Sequence, residues 1–273
     1  MVGSGLVIST STITSFRSGV IQALLLCFAG CSAFAQDGGE ITGRQRMSES
    51  QNLTGYWVSV VTQHWHYRMR MPPKGATAKI PLNETGRRIL ESWNPEADAA
   101  NGHACRAYGA GNIMRIPGRF HIHWADDNTL QIDTDSGTQT RLLQFAPQTS
   151  ASEVEPSLQG RSAAAWVGRE GAPEGSRNAD QNDPNAVRYL VASTSRLLPG
   201  YLLKNGVPYS GSTTLEEYFY TFTEPNGDEW LVVTTLIDDP EFLARQHVTT
   251  NQYKREPDDS GWDPTPCQVD KPR

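Results

Sequence analysis

From residue 53 onward, apolar and polar positions alternate with a period of two along most of the chain. That is the signature of pleated strands with one dry face. Residues 53–70 place Trp57, Ser59, Val61, Gln63, Trp65, Tyr67 and Met69 on one side. Tyr56, Val58, Val60, Thr62, His64, His66, Arg68 and Arg70 fall on the other. The run is long for one strand, so a bend or bulge near Thr62 is predicted. Residues 119–124, 129–135 and 138–145 read as a meander, with Asp126, Asp127, Asn128, Ser136 and Gly137 in its turns. Further strands are predicted at 158–167, 187–195, 213–223, 229–238 and 246–254.

The period changes only once. In residues 84–93, Ile89, Leu90 and Trp93 share a helical face, Asn83 is placed to cap it, and Asn94-Pro95 stops it. Residues 96–111 and 168–186 read as loops, and 239–243 as one helical turn. The sum is an all-β chain: an antiparallel barrel of about 8–10 strands with one short helix, spanning residues 51–273 as one domain. A barrel is preferred to a sandwich because successive strands are up-and-down neighbours.

The N-terminus departs from this pattern. Arg17 is the only charged side chain in the first 35 residues; it precedes the apolar run 20–29 and the small-x-small site Ala33-Phe34-Ala35. These features predict a cleaved secretory signal over residues 1–35, with lipoprotein processing at Cys31 as the alternative. A flexible leader, 36–50, follows. The expected location is periplasmic or secreted, with no transmembrane segment in the mature chain. Cleavage would leave Cys105 and Cys267, and two thiols in an oxidising compartment predict one disulfide. The net charge of −6 and the lack of a basic run argue against nucleic acid.

Candidate chemistry is sparse. No P-loop, dinucleotide fingerprint, nucleophile elbow or His-Glu-x-x-His pattern occurs, so no cofactor is expected. Four of the six histidines form two His-x-His pairs, His64/His66 and His121/His123. Alternation turns both pairs to the wet face. Such pairs can chelate Zn or Cu if a neighbouring strand supplies a third donor, with Asp133 or His247 in reach of that role. Otherwise Asp133 and Asp135 read as solvated acids. Arg141 shares a face with Leu143 and Phe145, and Glu216 with Tyr218, Tyr220 and Phe222. Buried charges need partners, so these two are read as structural anchors or as the polar end of a cavity.

Gly55-x-Trp57 resembles the opening motif of lipocalins. A wider likeness covers most of residues 50–267. It consists of residues 81–87 (PLNETGR), Trp93-Asn94-Pro95, Cys105, 111–117 (GNIMRIP), Arg141 and 205–210 (NGVPYS), in that order. It resembles an uncharacterised family of exported bacterial proteins. The resemblance implies a lipocalin-like barrel and export, and brings no established catalytic residues. In such barrels an arginine stacks on the first-strand tryptophan, a role Arg141 is expected to fill on Trp57. The polar insertion at residues 169–185 departs from the family.

Three functions follow. The first is binding of a small, largely apolar molecule in the barrel, with Trp57, Arg141, Trp166, Glu216, Tyr218 and Tyr220 as wall residues. The second is a cofactor-free isomerase, hydratase or hydrolase in the same cavity, with Glu216 as base and Arg141 or Tyr218 stabilising charge. The third is a metal-dependent site on His64, His66, His121 and His123. Oligomeric state is left open.

Overall fold

The computed structural model describes residues 42–44, 47, 51–145, 154–168 and 189–269. The predicted signal segment, the alternative processing site at Cys31, most of the predicted leader and the 169–185 insertion lie outside the described residues.

Among the described residues thirteen strands are present: β1 (Gly55–Val60), β2 (Arg119–Asp126), β3 (Thr129–Thr134), β4 (Ser136–Gly137), β5 (Thr140–Gln144), β6 (Arg161–Val167), β7 (Tyr189–Ser195), β8 (Gly200–Leu203), β9 (Val207–Tyr209), β10 (Thr214–Thr223), β11 (Glu229–Asp238), β12 (His247–Glu256) and β13 (Thr265–Pro266). Nine of them close into a barrel in the order β1-β12-β11-β10-β7-β6-β5-β3-β2. Its seams are antiparallel except β5 against β6, which is parallel. The sheet is therefore mixed, a small departure from the antiparallel expectation. Closure leaves the barrel without free edges.

The inner rows pack together inside the barrel. Trp57, Phe120, Ile122, Leu130, Ile132, Leu143, Leu190, Phe219, Leu231, Val233 and Tyr253 form one buried cluster. Each large side chain so buried is worth about 1.5–3 kcal/mol. Trp57 Nε1 donates to the Leu53 carbonyl at 2.8 Å. The arginine stacked on Trp57 is Arg255 of β12, its Cζ 4.2 Å from the ring centroid. Arg255 is held by the Asn52 and Thr54 carbonyls and by Glu229. The role expected of Arg141 belongs to Arg255.

Three local expectations change. The strand through residues 53–70 stops at Val60, and residues 65–68 form a one-turn helix, α1 (Trp65–Arg68), entered through His64 in the left-handed region. Trp65 and Met69, placed on the buried face, are exposed. The helix α2 (Glu84–Ser92) forms as expected, with Asn83 Oδ1 accepting from Gly86 N at 2.9 Å; Leu90 and Trp93 are buried, while Ile89 is exposed. The presumed loop at 96–111 is mostly helical instead: α3 (Pro95–Ala100), a 3-10 turn (Ala104–Tyr108) and α4 (Ala110–Ile113). Asn94 and Pro95 end α2 and also start α3, since a cap and a first-turn proline serve both purposes.

β8 and β9 form a separate hairpin packed beside α2. At its turn, Gly206 has φ +85°, and any Cβ there would collide with the Trp93 ring. The Cys105–Cys267 disulfide is present, with Cα atoms 5.1 Å apart. It ties the 3-10 turn to the tail just after β13, which pairs with β4. No helix among the described residues is long and apolar enough to cross a membrane.

Candidate metal centre

β2 and β3 form a hairpin in which His121 pairs with Asp133 and His123 with Gln131. Phe120 and Ile122 turn inward and are buried, so His121 and His123 turn outward, as alternation predicts. Outward residues of β3 share that face, which brings Asp133 beside both imidazoles. Donor atoms of His121, His123 and Asp133 all lie within 4.8 Å of one another. His123 Nδ1 is 3.7 Å from Asp133 Oδ2. It is also a buried ring nitrogen without a hydrogen-bond partner.

The surrounding groups hold these donors in place. Gln131 Nε2 donates to both Asp133 oxygens at 3.0 and 2.9 Å, and Thr140 Oγ1 of β5 donates to Oδ1 at 2.6 Å. The His121 ring is stacked between Tyr56 (centroids 4.2 Å apart) and His123 (4.6 Å), and Trp262 packs edge-on against Tyr56. Burial, then His123, hold His121 below its ordinary imidazole value, against the opposing pull of Asp133 and Asp259. A neutral imidazole is the form that ligates a metal. Donors around a tetrahedral zinc ion lie about 3.4 Å apart, given Zn–N bonds near 2.1 Å.

The other predicted residues are dispersed. His64 and His66 lie at the start of α1 and do not join this set. The third donor weighed alongside Asp133, His247, is half-buried near Arg115 and His64. Asp135, expected to be solvated, is buried and accepts from Arg119 N at 2.8 Å.

The proposed cavity wall also comes apart. Trp57 and Arg141 are fully buried inside the barrel, Arg141 paired with Glu217. β10 is inverted relative to the expectation: Leu215, Glu217, Phe219 and Thr221 face inward. Glu216, Tyr218 and Tyr220 face outward, and the Tyr218 hydroxyl donates to Glu216. Glu216 and Arg141 are on opposite sides of the wall and cannot act on one substrate. Trp166 is half-buried, packed on Phe145, with Nε1 donating to the Gly43 carbonyl at 2.9 Å. An open groove of about 820 Å³ lies outside the wall, lined in part by Leu142, Gln144, Leu158 and Leu198.

Comparison with protein-family models, with curated proteins and with solved structures returns no match for this chain.

Proposed function

We propose that the protein binds a divalent transition metal at the β2–β3 hairpin, through His121, His123 and Asp133. The observation that carries this reading is the cross-strand register, which sets a carboxylate against a His-x-His pair and leaves His123 Nδ1 without a partner. Two imidazoles and one carboxylate suit zinc and other borderline ions. Gln131 and Thr140 supply the outer hydrogen bonds that orient such a carboxylate. Three protein donors on a partly exposed face leave a coordination position for water or a ligand, as in catalytic rather than structural sites.

Export and the lipocalin-like family remain part of this reading. The disulfide supports an oxidising compartment, and the closed barrel with its Trp57–Arg255 stack supports the lipocalin likeness. The apolar-ligand reading has less support, because the barrel's own side chains occupy the cluster along its inner wall.

Isothermal titration of the purified protein with Zn(II) tests the metal site. One ion per chain is expected, with affinity lowered at least about tenfold in His123→Ala or Asp133→Asn and unchanged in His66→Ala. Absence of saturable binding, or binding that survives loss of both His121 and His123, rejects the site.

A further inference from the structure

At another place on the barrel, positive charge is buried with no acid among the described residues to balance it. Arg115, just before β2, is only 7% exposed. Arg68, the last residue of α1, is half-buried beside it. Arg68 Nε donates to the Arg115 carbonyl at 2.8 Å, which fixes the plane of its guanidinium. Its Nη2 is buried and has no partner. Among the described residues neither guanidinium has a carboxylate partner, and the nearby interior acid, Glu217, is committed to Arg141.

Both arginines line a cavity of about 100 Å³ together with Arg70, Lys204, Met71 and Ile116. Among the described residues no acidic side chain lines it. The positive field reaches further: burial first, then Arg68, pull the Arg115 guanidinium down to about 10, and His64 and His247 are lowered by burial first and then by Arg115. A desolvated cation costs much of its hydration energy and is normally paired. In a chain of net charge −6, a cavity whose two clamping arginines face apolar and neutral side chains is built for a partner from outside.

We propose that this cavity is an oxyanion site, in which Arg68 and Arg115 clamp the carboxylate or phosphate head of an amphiphilic small molecule. Guanidinium groups recognise both heads through paired, charge-assisted hydrogen bonds. The cavity holds a head group and little more. Its Met69, Met71 and Ile116 wall and the neighbouring α1 side chain Trp65, with Met69 and Trp65 60% and 59% exposed, give an apolar tail a surface to follow outward. None of the proposed metal ligands lines the cavity, so this site stands or falls apart from the metal centre.

The test is calorimetric titration of the full-length protein, without added metal and at fixed ionic strength, with inorganic phosphate and separately with octanoate. Saturable binding is expected, octanoate being tighter than phosphate by about tenfold or more. Arg115→Gln and Arg68→Gln should each weaken binding at least about tenfold, with near-UV circular dichroism unchanged. Arg68 is the less buried of the two, so its variant keeps the test available if Arg115→Gln fails to fold. Equal affinity for the two anions supports the clamp and overturns the apolar tail. No saturable heat from either anion, or affinity unchanged in the folded variants, overturns the site.

Discussion

Arg141 and Glu217 face each other inside the barrel, both fully buried, with Arg141 Nη1 3.1 Å from Glu217 Oε1. Thr194 and Thr235 take up further hydrogen bonds, and Ser162 extends the network through Thr194 at 2.7 Å. Removing one partner strands a charge in the interior. Glu217→Leu should therefore lose about 3–5 kcal/mol in urea unfolding. The double variant Arg141→Met/Glu217→Leu should recover most of that loss, because an apolar pair of similar size leaves no charge unpaired. A single variant as stable as the parent would show that the pair carries no such penalty. The sequence reveals that Arg141 is inside, since it alternates with Leu143. It leaves the partner unnamed, because β10 is read with its other face inward. Tyrosines and Phe222 make the Glu216 row of β10 look like the apolar face, while the row that turns inward carries Glu217 and Thr221 among its members. Face assignment by hydrophobicity fails where a buried ion pair sits on the inner row and aromatics cover the outer one.

Among the elements, strands with a clean alternation were legible nearly to their ends, as β2, β10, β11 and β12 show. β8 and β9 were not, because nearly every residue in them is buried and no alternation remains to be read. α1 was hidden for the opposite reason: four residues of helix cannot establish a period against the strand pattern that runs into them. The hairpin register that joins His121 to Asp133 was open at the sequence level, and so was the gathering of Arg68, Arg70, Arg115 and Lys204, cations scattered along the chain. β12 begins with His247, whose imidazole is pushed down to about 4 by burial first and then by Arg115, His64 and Arg245. The folded protein therefore holds it neutral where the unfolded chain, near 6.5, takes up a proton. Its contribution to stability is complete above pH about 6.5 and is lost as pH falls from there toward about 4. Urea midpoints should decline from pH 7 to pH 5, and His247→Gln should flatten that decline. An identical decline in the variant would remove His247 as its source.

For the molecule as a whole, the Cys105–Cys267 bridge spans 162 residues of sequence. Chain-entropy reasoning puts such a closure at up to about 5 kcal/mol. Replacing both cysteines by serine should lower stability by about 2–5 kcal/mol, measured by urea unfolding of the oxidised parent against the variant. Adding a reductant should shift the parent toward the variant and leave the variant where it is. The barrel has a second long-range closure that is not covalent. β1 is hydrogen-bonded to β2 on one side and to β12 on the other, so the earliest barrel strand to emerge in synthesis must wait for the latest. Until residues 247–256 have been made, the cylinder has an unzipped side with two raw borders. Folding is then a post-synthetic event set by the slow meeting of distant segments, and a nascent chain that stalls before β12 presents those borders to any other strand nearby.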